Sequence, residues 1–365
     1  MDPNAVNQNI TVDDFDSLVT YENQDIWLTP DPSKNLPFNQ SDSPWFAGTY
    51  HVTNVTNTSF SFNFDGESYH SSSPAGLVLT ALETGPTLFI YGAAGPAYGS
   101  YEISIDGSSN VSTAHAAANA TNYLLFGTSG LTYDNHTLKV TNLGAQSGDE
   151  GGNELLFDYL QTTVQLAPAG ATVTNTTLEE TDPRLIYTGN WTINYNPIFS
   201  GGGSIFTNHS NASFSFSFNG STLYIFGDKV DDHGFYSVIL DDRPAVQFDG
   251  KSGCGGVFEH ACEKDNTLKY FASNLNSSTH TVTLTNAGIN GSFFVPRADL
   301  DSVVYTTPSE YSVRQPSASG SSTSSPAASP TSTSGAAALS ANASGLNIAF
   351  LALCSAWWWL RFIRR

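Results

Sequence analysis

Acidic side chains are the first candidates for chemistry in this sequence. Glycosidases flank the scissile bond with two carboxyl groups, and adjacent pairs occur at Asp231-Asp232 and Asp241-Asp242. Neighbouring residues of a strand point to opposite faces, so neither pair converges on one bond. Both are expected to be solvated loop acids. Two further clusters, Asp13, Asp14 and Asp16, and Asp149, Glu150 and Glu154, offer oxygens that could hold Ca2+, although neither has EF-hand spacing. His136 and His280 open two similar segments and lack a partner nucleophile, which makes a structural role the expectation. No Gly-x-Ser-x-Gly, His-Glu-x-x-His, P-loop or dinucleotide-binding glycine set is present. The chain is therefore expected to be non-catalytic, with Ca2+ the one cofactor its oxygens suggest.

Exposed aromatics are the stronger candidates. Trp45 lies in a loop, Ser43-Pro-Trp-Phe-Ala-Gly48, and Phe199 occupies the matching place in a later loop. Loop aromatics of this kind stack on the apolar faces of sugar rings; the rival reading has both folding back onto the core. Tyr98 or His233, with Asp231, Asp232 and Arg243, could supply hydrogen bonds beside them. Trp27 and Trp191 fall on apolar strands and read as core. Cys254 and Cys262 are eight apart in a Gly-rich loop, a span suited to a local disulfide. Such a bridge contributes on the order of 2.5 kcal/mol. Zinc is the rival, with His260 nearby, but the spacing matches no usual zinc site.

These residues are positioned by a duplicated scaffold. Ser59-Phe-Ser-Phe-Asn-Phe-Asp-Gly66 repeats as Ser213-Phe-Ser-Phe-Ser-Phe-Asn-Gly220, and Leu88-Phe-Ile-Tyr-Gly92 as Leu223-Tyr-Ile-Phe-Gly227. His136-Thr-Leu-Lys-Val-Thr-Asn142 answers His280-Thr-Val-Thr-Leu-Thr-Asn286, while Asp16, Tyr21 and Trp27 answer Asp182, Tyr187 and Trp191. The copies run near 11–166 and 177–308, and residues 67–85 are an insertion in the first. A period this long means duplicated domains rather than a solenoid. Phe214, Phe216 and Phe218 alternate with serines, the signature of a strand with one face buried. Turn residues punctuate the chain, and no stretch before residue 336 sustains a helical period. The expected fold is all-β, two tandem antiparallel β-sandwiches.

The second copy opens with Tyr187-Thr-Gly-Asn-Trp191 and continues through Leu223-Tyr-Ile-Phe-Gly227, Tyr236-Ser-Val and Asp299-Leu-Asp-Ser-Val-Val-Tyr305. This series resembles the galactose-binding-like jelly roll of discoidin-type domains and many carbohydrate-binding modules. Tandem copies followed by a Ser-rich stalk are similar to surface proteins of mushroom-forming fungi. The resemblance implies binding of carbohydrate or cell-wall glycan through sandwich loops; a structural adhesion protein without a small ligand is the alternative, and a glycoside-active enzyme ranks below both. The first copy departs from the pattern, with Tyr21-Glu-Asn-Gln-Asp-Ile-Trp27 lacking the glycine.

Residues 309–345 form a Ser/Thr/Pro-rich segment, uncharged from 316 onward, that cannot bury a core and reads as an O-glycosylated stalk. An apolar run over 346–363 then suggests a membrane anchor. Ser334-Gly335-Ala336, a spacer and the run satisfy a GPI signal with Ser334 as attachment site. Trp357 to Trp359 followed by three Arg instead suit a single transmembrane span. Fifteen Asn-x-Ser/Thr acceptors occur: Asn9, Asn39, Asn54, Asn57, Asn110, Asn119, Asn135, Asn175, Asn190, Asn208, Asn211, Asn219, Asn276, Asn290 and Asn342. Chance would give roughly six, so passage through the secretory route to the cell surface is expected. Met1-Asp2-Pro3-Asn4 lacks the features of a signal peptide, which suggests a missing first exon. A formal net charge of −20 repels phosphate backbones and excludes nucleic acid as a partner.

Overall fold

A computed structural model describes residues 4–29, 43–65, 86–131, 135–147, 152–230, 232–252, 264–288 and 297–312. Cys254, His260, Cys262, Asp149, Glu150, the 67–85 insertion, the stalk beyond residue 312, Ser334 and the 346–363 run lie outside them. The described residues are all-β, with three-residue 3-10 turns and no α-helix. None of their helices is long and apolar enough to cross a membrane.

The first ten strands make two antiparallel sheets. β1 (Val6–Asp13), β10 (Leu155–Ala167), β5 (Thr87–Ala94) and β8 (Ala120–Thr128) form one in that order, with β3 (His51–Thr53) also on β10. β2 (Val19–Tyr21), β4 (Ser59–Asp65), β9 (Asn135–Gly144), β6 (Ser100–Ile105) and β7 (Ser108–Thr113) form the other. Period-2 alternation builds both. Phe60 and Phe62 of β4, Leu138 and Val140 of β9, Ile90 of β5 and Leu160 of β10 all turn inward to one shared core. Phe60 stacks on Phe157 across it at 4.2 Å. Two sheets sharing one interior make a sandwich.

The pattern then repeats. β11 (Val173–Glu179), β22 (Ser302–Pro308), β16 (Thr222–Lys229) and β19 (Lys264–Ala272) form one sheet. β12 (Ile186–Thr188), β15 (Ser213–Phe218), β20 (His280–Asn286), β17 (Phe235–Leu240) and β18 (Val246–Asp249) form its partner. A separate third sheet, β13 (Thr192–Tyr195), β14 (Gly203–Thr207) and β21 (Ala298–Leu300), corresponds to β3 on β10 with the Leu28–Val52 bridge in the first half. Phe214, Phe216 and Phe218 are all buried, as their alternation predicts.

Repeat-related side chains do the same work in both halves. Tyr21 Oη donates to Asp14 O at 2.8 Å, and Tyr187 Oη to Glu180 O at 2.7 Å. Trp27 packs edge-on against Phe60 and Trp191 against Phe214. Trp27 is wholly buried, whereas Trp191 stays half-buried and donates to Thr188 O. His136 Nδ1 lies 2.6 Å from Asp106 Oδ2, and His280 Nδ1 2.8 Å from Asp241 Oδ2. Each aspartate also accepts from the next backbone N–H, of Thr137 or Thr281, and adopts a positive φ. The two histidines thus pin hairpin turns, a structural role. Of the fifteen acceptor asparagines, twelve lie among the described residues; eleven are exposed and Asn276 is half-buried. Asn39, Asn290 and Asn342 lie outside.

Residues Met1–Ala318 form one compact unit, and the segment Asp13–Leu18 joins its halves. Asp16 Oδ1 accepts from Leu268 N at 2.7 Å, and Ser17 N donates to Leu268 O at 3.2 Å. Phe15 is fully buried, with Lys229 and Lys264 ammonium groups 5.8 and 5.4 Å from its ring centre. Asp13, Asp14 and Asp16, read from the sequence as oxygens for Ca2+, are buried here and engaged by protein groups. Asp13 pairs with Lys264, Asp14 accepts from Thr49 Oγ1 at 2.7 Å and lies 2.6 Å from His51 Nδ1, and Asp16 accepts from Asp13 N at 2.8 Å. The Lys264 ammonium is the cation of this cluster. Burial raises Asp13, Asp14 and Asp16 to about 7, and burial with the Asp14 charge raises Asp158 to about 8.

A carboxyl whose folded pKa exceeds its unfolded value binds extra protons in the folded state, so stability falls as pH rises through that window. Burial lowers the His51 and His233 pKa values, and these groups act only below about pH 6.5. Between pH 6.5 and 8 the raised carboxyls dominate, and urea unfolding should give a stability that declines with pH. Asp158→Asn should make that decline visibly shallower; an unchanged slope would show that Asp158 is ionised at neutral pH.

Candidate functional site

The second sandwich carries a small cleft of about 90 Å3, lined by Asn194, Ser204, Phe206, Asp228, Val230, Asp232, His233, Arg297 and Asp299. Its wall is the outer face of the third sheet, because Asn194 pairs with Ser204 and Phe206 with Asp299 in register. The turn after β16 supplies the rest. His233 N donates to Val230 O at 3.2 Å, and Arg297 N to Asp232 O at 3.0 Å, which holds that turn against the start of β21.

Behind the cleft lies a charged cluster. Lys269 Nζ pairs with Asp299 Oδ1, while Asp299 Oδ2 accepts from Asp228 N at 2.7 Å. His233 Nδ1 stands 3.3 Å from Asp228 Oδ1 and 3.5 Å from Asp299 Oδ1. Burial, only partly opposed by Asp299, lowers the His233 pKa to about 4, so the ring is neutral at pH 7. Burial would raise Asp299, but Lys269 and His233 outweigh it and hold its pKa below the usual carboxylate value. Ligand atoms of Asp228, His233 and Asp299 lie within 4.8 Å of one another, and the Lys269 ammonium already sits on one of them. At the rim, Arg297 Nη1 pairs with Asp232 Oδ2 at 2.6 Å, and the guanidinium lies 5.0 Å from the centre of Phe206. Both partners are partly exposed.

The first sandwich shows that this cluster was built into positions that are otherwise apolar. Strand register equates Asp228 with Ala93, His233 with Tyr98, Lys269 with Leu125 and Asp299 with Leu156. Tyr101 Oη donates to Leu125 O at 2.7 Å, as Tyr236 Oη donates to Lys269 O at 2.6 Å. Ala93, Leu125 and Leu156 are buried hydrophobics. Three apolar side chains of one half are thus replaced together by two carboxylates and an ammonium in the other. A backbone device accommodates the pair: a Cβ on Gly227 would fall 2.2 Å from Lys269 Cε and 2.5 Å from Asp299 Oδ2.

Of the residues singled out in the sequence, Asp232 and His233 line the cleft. Asp231 lies outside the described residues. Arg243 sits in the turn after β17, at the far end of a six-residue strand roughly 20 Å long, and does not join them. Phe199 is only 4% exposed, so it cannot serve as a stacking platform; its ring turned inward as the core alternative required. Trp45 and Tyr98 belong to the first sandwich. Trp45 is half-buried against Tyr50, with ring centres 4.8 Å apart, and Tyr98 pairs in register with Glu154. Burial, with Glu154 and Tyr50 nearby, raises the Tyr98 pKa. The first half therefore presents aromatic rings where the second presents charge. Asp228, Lys269, Arg297 and Asp299 were missed, although aligning the repeats exposes Asp228 against Ala93.

No family model matches the sequence. A curated relative from Flavonifractor plautii, A type blood alpha-D-galactosamine galactosaminidase, is 24% identical over 210 residues. That match covers 58% of this chain and 17% of the relative, so the chain spans less than a fifth of that protein. Among solved structures, a family 35 carbohydrate binding module from Clostridium thermocellum is 16% identical with a TM-score of 0.26, covering 36% of this chain and 98% of the module. The ANX1 ectodomain from Arabidopsis thaliana is 9% identical with a TM-score of 0.25, covering 85% of this chain and all of the ectodomain, 100%.

The cluster must be replaced as a unit. Asp299→Leu alone strands the buried Lys269 ammonium and should cost about 3–5 kcal/mol. The triple replacement Asp228→Ala, Lys269→Leu, Asp299→Leu restores the first half's residues and should recover most of that loss. Urea unfolding of the wild type and the two variants reads the coupling; a triple variant less stable than Asp299→Leu would show that the pair does not act as one.

Proposed function

We propose that the protein is a non-catalytic cell-surface glycoprotein that binds a glycan through the cleft of its second sandwich. The observation that carries this reading is the joint replacement of Ala93, Leu125 and Leu156 by Asp228, Lys269 and Asp299 at repeat-equivalent positions. Stability gives little reason to exchange three packed hydrophobics for buried charges, since an apolar core of the same shape is generally as stable or more so. A recognition site does give one. Sugar hydroxyls both donate and accept, and Asp232, Arg297, Asn194 and Ser204 offer both partners beside the Phe206 ring. A cleft of about 90 Å3 suits the hydroxyl-bearing edge of one terminal residue rather than a whole oligosaccharide.

Further support comes from the curated relative, whose name places galactosamine among its substrates, and from the galactose-binding-like jelly-roll pattern of the strands. Cell-surface display rests on the acceptor asparagines that face solvent throughout both halves, and on the apolar run over 346–363, read as a GPI signal or a membrane span. Absence of catalysis rests on the chemistry of the cleft: Asp299 is tied to Lys269, Asp232 is tied to Arg297, and the neutral His233 lies against Asp228 and Asp299.

A second site is favoured by the aromatic group Trp45, Tyr50 and Tyr98 on the first half, which suits stacking on a sugar face. A glycan array probed with the full chain from eukaryotic cells separates the two. Arg297→Ala should weaken selective binding at least about tenfold, the loss of one charge-assisted contact, with an unchanged melting temperature. Loss on Trp45→Ala instead would move the site to the first half, and silence from the folded protein across the array would sink glycan binding altogether.

A further inference from the structure

We propose that Asp13 and Lys264 become joined by an intramolecular isopeptide bond that covalently locks the two sandwiches together. The pair spans 251 residues of sequence and joins β1 of the first half to β19 of the second. Lys264 Nζ is in direct contact with Asp13 Oδ2, and both side chains are buried. Water that would keep an amine and a carboxyl apart is thus excluded, and the two groups are held as neighbours by the fold.

The surroundings supply a proton path. Lys264 Nζ donates to Thr49 Oγ1 at 2.9 Å, and Thr49 Oγ1 donates to Asp14 Oδ1 at 2.7 Å. Thr49 Oγ1 also lies 3.4 Å from Asp13 Oδ2, so one hydroxyl stands between the two carboxyls. The relay therefore runs from the amine, through that hydroxyl, to a carboxyl beside the electrophile. Asp14 takes a proton from the Lys264 ammonium by way of Thr49. The freed Nζ lone pair attacks Asp13 Cγ and forms the Nζ–Cγ bond. Asp14 then delivers its proton to the departing oxygen, the Cγ–O bond breaks, and one of the two protons left on Nζ is relayed the same way while the other stays as the amide N–H. One carboxylic acid and one amine become an amide and one water. Nothing is oxidised or reduced, and no external reagent enters.

Protonation states favour the first half of this scheme. Burial raises the Asp13 and Asp14 carboxyls to about 7, so Asp13 carries the proton that makes its carbon electrophilic for much of the time at neutral pH. Burial opposes the Lys264 ammonium, although Asp13, Asp14 and Asp16 outweigh it and the amine pKa is raised, which is why a relay is needed. The product also removes a thermodynamic burden, because a neutral amide replaces a buried ammonium and its carboxyl partner.

A built-in control exists. Lys269 and Asp299 form a second buried pair, but Lys269 holds the Asp299 carboxyl below its usual range, so it stays an unreactive carboxylate. Among the described residues, no hydroxyl is hydrogen-bonded to Lys269 Nζ as Thr49 is to Lys264.

Peptide mass spectrometry of the full chain, purified folded, then deglycosylated, denatured and digested with trypsin, tests the proposal. The expected result is a branched peptide joining the Asp13 and Lys264 segments, lighter than their sum by one water, with no cleavage after Lys264. Lys264→Arg should abolish it, and Thr49→Val should lower the joined fraction severalfold. Linear peptides with complete cleavage after Lys264 in the wild-type protein would overturn the bond, and unaltered joining in Thr49→Val would overturn the relay.

Discussion

The arrangement of the two halves depends on charge that has been taken out of water between them. Asp13, Asp14, Asp16 and Asp158 lie within one buried region, faced by Lys264, Lys229 and His51. An isolated buried charge is costly, so each of these groups must keep its partner in place. Partners come from both halves, and that requirement fixes how the halves meet. Phe15 fills the space between the ammonium groups. A sliding motion would break the Leu268 backbone bonds to Asp16 and Ser17 and strand Lys264 together.

The duplication explains how a site could arise without disturbing the scaffold. Both halves keep the same supports: the histidine–aspartate turn clamp, the tyrosine that bonds back seven residues, and the tryptophan on the first core phenylalanine. Asn142 and Asn286 likewise each bond the two backbone carbonyls before β4 and β15. These groups fix the backbone, so the loop end of each sandwich is left to diverge. One half filled it with Trp45, Tyr50 and Tyr98; the other with Asp228, His233, Lys269 and Asp299. The layer of β13, β14 and β21 that walls the charged version corresponds in the other half to β3 on β10, with Leu28 bridged to Val52.

Charge patterns differ in what they can do at the two buried clusters. At the junction, carboxyls outnumber ammonium groups and are driven toward their neutral form by burial. In the cleft, Lys269 sits close enough to Asp299 to keep it ionised, and the neighbouring imidazole remains neutral. The same residue types thus become a proton-sharing network in one place and a fixed dipole in the other. Local stoichiometry of charge decides which.

Sequence by itself determined the scaffold. Alternating phenylalanines, paired turn aspartates and the repeated Trp, Tyr and His specify strands, faces and duplication, because a strand's period of two is written in adjacent residues. It also placed the acceptor asparagines, which the sheets leave on the surface. Tertiary structure decided the partners. Asp13 and Lys264 are too far apart in sequence for any spacing rule to join them, and Asp14 read as an oxygen for Ca2+ until His51 and Thr49 closed over it. Phe199 and Arg243 sat in plausible loops, yet one ring turned inward and one strand's length separated the other from the cleft. Contact across sheets depends on how layers stack, and that is a property of the folded whole.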